Sequence, residues 1–207
     1  MKIVISRLTY NEFDAILKTH PRYCDTQYVD GRFPAFTKIK DSDVSTDGSI
    51  RLIQSYPNTQ YFQFFGSYLD KINYQFQMAK DYDVMIMLSC DEYIEGDWNN
   101  FVKNLEWSMR VHPDKRIFNI PFKVISGDDR PIKSKDRIFV DPKNWTVLDR
   151  HWRYRYKGKE ELHRAWYMDA DINGITIVHD DTVRNKKRNK LMTKYQKIPE
   201  AVADTLK

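Results

Sequence analysis

The chain has 207 residues, of which 41% are hydrophobic, 30% charged and 14% aromatic. That length builds one domain with its own core, and the balance of apolar to charged residues excludes a disordered chain. A net charge of +5 and a pI near 9.0 suit a phosphate-bearing or otherwise anionic partner without naming one. Two cysteines, Cys24 and Cys90, make neither a disulfide framework nor a zinc-ligand spacing. No segment approaches the ~20 apolar residues of a membrane-spanning helix. The first residues, MKIVISRLTY, read as a strand and not as a secretory leader, so the expected setting is reducing and cytoplasmic.

Lys2 to Ser6 reads as a short buried strand. Asn11 to His20 follows as a helix, with Phe13, Ile16 and Leu17 at helical spacing, Asn11 as its cap and Pro21 as its stop. DTQYVDG is a second strand closing on Asp30-Gly31, and a polar loop then runs to Gly48. SIRLIQSY is a helix, TQYFQFF a third strand, and SYLDKINYQFQMAKDY a helix with Leu69, Ile72, Phe76 and Ala79 on one stripe. VMIMLS, Val84 to Ser89, is a fourth strand, and its continuous apolar run predicts cover on both faces. The alternation of strand and helix predicts an α/β fold: one Rossmann-like domain with a mainly parallel central sheet and helices on both faces. Ligands of such sheets bind beyond the carboxyl ends of the strands, the edge that carries Asp30 and the Asp91-Glu92 pair.

In the second half, Asp97 caps a helix running to Val111. Arg116 to Ile125 is a strand, Ser126 to Asp136 a charged turn, Arg137 to Val140 a strand, and Gly174 to Asp181 a strand bearing His179. A basic helix closes the chain; Arg184 to Lys197 holds seven basic residues and no acidic one. This segment reads either as a solvated face or as a contact for anionic lipid headgroups or nucleic acid.

Two adjacent carboxylates repel unless a proton or cation lies between them. Asp91 and Glu92, at a strand end, therefore read either as loop charges or as a place for a divalent ion, since magnesium takes one or two protein carboxylates and fills its other positions with phosphate and water. Asp30 is a turn residue or an acceptor for a ring N–H or ribose hydroxyl. Ser45, Thr46 or Asp47 caps the following helix. His179 is structural or a metal ligand. His163 lies beside Glu160 and Glu161 in an aromatic, charged region that includes Trp166. Trp145, Trp152, Tyr154, Tyr156, Trp166 and Tyr167, interleaved with arginines, suit packing, sugar faces or base stacking.

The ordered set TYNE (Thr9 to Glu12), YVDG, STDGS and an apolar strand running into SCDEY resembles GT-A glycosyltransferases of the family-2-like group. The resemblance covers residues 1 to 110 and extends more loosely to RIF at Arg137, ELHRAW and the final VHDD. It implies a GT-A-like fold with a nucleotide-sugar-binding half (1–110), an acceptor-side half (111–183) and a basic C-terminal segment (184–207). It implies transfer of a sugar from a nucleotide-diphosphate sugar to a hydroxyl of a glycan, lipid or protein acceptor, assisted by Mn or Mg. Thr9 and Glu12 would lie near the nucleotide, Asp30 would hold the base, and Asp47 would lie beside the pocket or cap its helix. Asp91 matches the metal-binding aspartate of D-x-D-E, with Glu92 after it; His179 matches a late histidine near the metal. Arg137 would assist the leaving diphosphate, and Asp128 and Asp129 stand as candidates for the catalytic base. The chain departs from the pattern at Ser89, in place of the first aspartate, and in the insertion after Asp30. A binding module without catalysis on the same fold is the alternative. No nucleic acid is expected, and a peripheral membrane contact through the basic segment is the further expectation.

Overall fold

β1 (Ile3–Thr9) is almost wholly buried, and its alternation sorts the core. In the computed structural model, which describes residues 1–31, 44–125, 133–148, 154–161, 166–167 and 174–180 (backbone alone at 133–135, 160–161 and 166–167), Ile3 and Ile5 face one layer and Val4 the other. α1 (Phe13–Thr19), β2 (Asp25–Asp30), α2 (Ser49–Ser55), β3 (Thr59–Gln63), α3 (Tyr68–Met78) and β4 (Val84–Ser89) follow in alternation. The four strands lie in the order β3-β2-β1-β4, all parallel, with Thr9 beside Asp30 and Leu8 beside Ser89. The predicted parallel layer is thus present.

β5 (Glu92–Gly96) leads into α4 (Trp98–Val111), whose N-terminus is capped as predicted: the Asp97 carboxylate accepts from Asn100 N at 3.0 Å. β6 (Ile117–Ile125) and β7 (Lys133–Val140) form an antiparallel pair, and β7 also joins β4. β8 (Trp145–Val147), β9 (Tyr154–Tyr156) and β10 (Lys159–Glu161) make a separate three-stranded antiparallel sheet. β11 (Trp166–Tyr167) and β12 (Ile175–Asp180) both run parallel to β6.

The path through the large sheet is β3-β2-β1-β4-β7-β6-β12-β5. Its last strand, β5, follows β4 in the chain after Cys90 and Asp91 alone, so the sheet curls until its far end meets the end of β4. Asp180 N donates to Asp91 O at 2.9 Å across that closure. Gly96 permits the tightest approach: with φ at +119°, a β-carbon there would stand 2.1 Å from Gly174 O. Helices cover both faces. Phe101 and Leu105 of α4 pack on Ile3, Ile5, Val84, Ile86 and Leu88. Ile72 and Phe76 of α3 pack on Val4, Met85 and Met87. Each such fully buried side chain contributes ~1.5–3 kcal/mol. Among the described residues, no helix is long and apolar enough to cross a membrane.

Three expectations need correction. The first helix begins at Phe13 with Glu12 as its cap residue; Asn11 has φ of +53° and is not the cap. Glu92 belongs to a strand, drawn in by pairing with β12. Strand β7 starts at Lys133, inside the segment expected to be a charged turn. Of the readings open for the aromatic cluster, Trp145 and Tyr154 follow packing: they are core residues set against Phe139 and Phe76 beneath α3. Trp152, Asp128, Asp129, His163 and the basic segment lie outside the described residues.

Candidate functional site

The turn between β4 and β5 is built over a buried cation. Arg7, in the middle of an otherwise apolar strand, is fully buried. Its Nη2 donates to Ser89 O at 2.9 Å, Cys90 O at 3.0 Å, Glu92 O at 2.6 Å and Thr19 Oγ1 at 2.8 Å. Nη1 donates to Thr19 O at 3.0 Å and to the Tyr28 hydroxyl at 3.4 Å. A guanidinium remains charged, and charge-assisted bonds to several oxygens are what make its burial tolerable. Thr19 Oγ1 itself donates to Cys90 O at 2.7 Å. The Cys90 side chain fills the space behind the turn, its thiol donating to Leu8 O at 3.2 Å. Burial pushes its pKa up, reinforced by Glu12, so it remains a thiol.

Above this support the acidic side chains converge with two residues from later strands. Asp91 and Glu92 are each 2% exposed. Glu92 Oε1 accepts from Arg137 Nη2 at 2.7 Å, and Oε2 accepts from Ser89 N at 2.8 Å. The Arg137 side chain is 11% exposed, so this ion pair is largely buried and removal of one partner strands the other charge. His179 arrives because β12 pairs with β5 in a register that sets it opposite Glu92. Its Nδ1 lies 3.6 Å from Asp91 Oδ1 and 3.7 Å from Glu92 Oε1, and its ring stacks on Phe122 with centroids 6.0 Å apart. Tyr68, at the head of α3, completes this side. Burial lifts its phenol pKa, Arg137 opposes the rise and Glu92 adds to it.

A second cluster lies on the same edge at β2, two strands from β4 and so roughly 10 Å away across the sheet. Asp30 is fully buried. Its carboxylate accepts from Ser45 N at 2.9 Å, Ser45 Oγ at 2.8 Å and the Tyr61 hydroxyl at 2.8 Å. Asn11 Oδ1 accepts from Thr46 N at 2.7 Å, and Asn11 N donates to Ser45 Oγ at 2.8 Å. Asp47 accepts from Phe13 N at 3.0 Å with one oxygen and from Ser49 N at 3.0 Å with the other, so one carboxylate serves the first turns of α1 and α2. Glu12 N donates to Ser49 Oγ at 3.1 Å. Lys71, buried on α3, donates to Thr9 O at 3.0 Å and Gly31 O at 2.5 Å, tying the ends of β1 and β2 together. The TYNE and STDGS stretches are thus interlocked by hydrogen bonds among Asn11, Glu12, Ser45, Thr46 and Ser49.

Of the residues singled out from sequence, Thr9, Glu12, Asp30, Asp47, Asp91, Glu92, Arg137 and His179 lie on this edge, in two clusters. The Asp30 carboxylate is taken up by Ser45 and Tyr61, and that of Glu92 by Arg137 and Ser89 N. Trp166 is placed by its backbone in β11 beside Phe118 of β6. Sequence reasoning missed Arg7, Tyr61 and Lys71, and it read Ser45 as a helix cap where Ser45 instead bonds the Asp30 carboxylate. Arg7 left one signal, an arginine inside the strand run IVISRLT; Tyr61 and Lys71 left none. Among the described residues, no group of three or more His, Cys, Asp or Glu side chains is arranged to hold a metal ion.

No family model matches this chain, and no curated protein matches it. Among solved structures, it is similar to S. aureus TarS over 63% of this chain and 23% of that one, at 18% identity and a TM-score of 0.43. It is similar to TarS 1-349 in complex with UDP over 63% of this chain and 38% of that one, at 18% identity and a TM-score of 0.44. A putative glucose-1-phosphate thymidylyltransferase from Bacillus anthracis, in complex with a sucrose, aligns over 96% of both chains at 11% identity and a TM-score of 0.39. The chain spans well under half the length of these TarS structures.

Proposed function

We propose that this chain is a GT-A-like glycosyltransferase that moves a sugar from a nucleotide-diphosphate sugar to an acceptor hydroxyl. The observation that carries this reading is the meeting of Asp91 with His179, 3.6 Å apart, beyond the carboxyl ends of parallel strands. Two protein ligands are what a magnesium or manganese ion also bound to a diphosphate commonly takes, and the spacing suits two ligands of one ion. Such an ion would offset the charge that develops on the departing diphosphate. Asp91 and His179 would hold it. The platform around Asp30, Asp47, Thr9 and Glu12 would seat the nucleotide against the backbone of the two interlocked turns. Arg137 would hold Glu92 in place and lend positive charge to the leaving group. The acceptor oxygen would attack the anomeric carbon as the bond to the diphosphate breaks, and its proton would pass to a base for which Asp128 and Asp129 are the candidates. A glycan, lipid or protein supplies the acceptor, and the basic segment at 184–197 would supply any peripheral membrane contact.

The test is a donor screen in which hydrolysis and transfer products of UDP- and GDP-sugars are followed by mass spectrometry with Mn²⁺ present. We expect turnover with one donor class and its loss in Asp91→Asn; undiminished turnover in that variant would remove Asp91 from the chemistry. Two observations favour a second reading, a donor-binding module without catalysis: Ser89 replaces an expected carboxylate, and Glu92 is already committed to Arg137. Thermal shift by the same sugars, independent of Mn²⁺ and unaccompanied by product, would select that reading.

A further inference from the structure

We propose that Arg7 is the positioning residue of the acidic turn: by gathering the carbonyl oxygens of Ser89, Cys90 and Glu92 on one guanidinium nitrogen, it fixes where Asp91 and Glu92 present their carboxylates. The inference rests on the reading of this edge as a donor site, and it adds to that site a residue that touches neither donor nor cation. An Nη2 group carries two hydrogens, yet four oxygens lie within 3.0 Å of it. The hydrogens are therefore shared in three-centre bonds, and the oxygens converge far more closely than they would without a cation among them. Three of the four residues from Ser89 to Glu92 turn their carbonyls inward onto Arg7. That direction is coupled to the outward direction of the Asp91 and Glu92 side chains, because both depend on the same few backbone dihedrals.

The arrangement has a second anchor and a fixed base. Thr19 Oγ1 accepts from Arg7 Nη2 at 2.8 Å and shares its one hydrogen between Cys90 O and Ala15 O of its own helix, both at 2.7 Å, so the end of α1 meets the turn beside the guanidinium. The Tyr28 hydroxyl accepts from Nη1 and is itself hydrogen-bonded to His20 Nδ1 at 2.9 Å. Arg7 thus joins β1, β2 and α1 to the one turn that carries the acidic pair. A lysine keeps the charge, but its single ammonium cannot span Thr19 O and Tyr28 on one side and three carbonyls on the other.

The experiment compares the full chain with Arg7→Met, Arg7→Lys and Thr19→Val. Mn²⁺ affinity is measured by electron paramagnetic resonance, UDP affinity by calorimetry, and local opening by amide hydrogen exchange across residues 84–96. In Arg7→Met we expect faster exchange confined to residues 89–92 and a loss of Mn²⁺ affinity of about tenfold to a hundredfold, the size of effect seen when groups behind a metal ligand are removed. Arg7→Lys should fall between it and the wild type. Thr19→Val, isosteric and charge-preserving, should show the same pattern in milder form and carries the test should Arg7→Met not fold. Wild-type exchange at 89–92 with unchanged Mn²⁺ affinity in a folded Arg7→Met or Thr19→Val protein would overturn the proposal. If the wild type binds neither Mn²⁺ nor UDP, the donor-site reading falls, and the exchange measurement still judges the role of Arg7 in the turn.

Discussion

His20 shows how one side chain ties stability to pH. It closes α1 with its ring stacked on Tyr56, centroids 3.8 Å apart and planes within 6°, and with Nδ1 hydrogen-bonded to the Tyr28 hydroxyl. Burial, then Arg7 and Arg22, lower its pKa to about 4. The unfolded chain titrates near ~6.5. The folded state therefore binds fewer protons in that interval, and the contribution of His20 is complete above pH ~6.5 and is lost as the pH falls toward 4. The ring is partly exposed, so solvent reduces the effect. Melting temperature should decline across that window, and His20→Phe, which keeps the stack and cannot be protonated, should flatten the decline. Parallel curves for the two proteins would assign the acid sensitivity to other groups.

At the level of elements, two short helices share one acceptor. α1 and α2 have 7 residues each, too few to be stable without help from their ends. Asp47 serves both. Asp47→Ala should lose roughly 2 kcal/mol, about one capping contribution at each helix, read as a lower urea midpoint at unchanged slope. The sequence made the long apolar runs legible: VMIMLS as a central strand, the Leu69-Ile72-Phe76-Ala79 stripe of α3, and Asp97 as a cap. It did not expose β5, because Glu92 to Gly96 has little apolar content and becomes a strand only through its partner β12. Nor did it expose the mutual bonding of the two motif turns. Asn11 and Asp47 carry the side chains of caps, and local spacing cannot tell a cap for the next helix from a tie to a distant loop.

Across the whole molecule, the parallel layer followed from the alternation of elements, and the shared edge of Asp30 and Asp91 followed from its topology. The curl did not, because it depends on antiparallel pairings between distant segments. Gly96 is where the curl closes. Gly96→Ala sets a methyl group against Gly174 O in a backbone region that disfavours side chains, and should cost about 3 kcal/mol. The same substitution should weaken Mn²⁺ binding, since it loosens the strand that carries His179; intact metal binding in a destabilised Gly96→Ala protein would separate His179 from the site. The curl also sets an order of assembly. Asp91 lies in the turn after β4 with its carbonyl bonded to Asp180 N, and its companion His179 comes on the same late strand, near the end of the described chain. During synthesis or refolding, competence to hold a ligand should therefore lag behind the secondary structure and appear only when that final strand locks the seam.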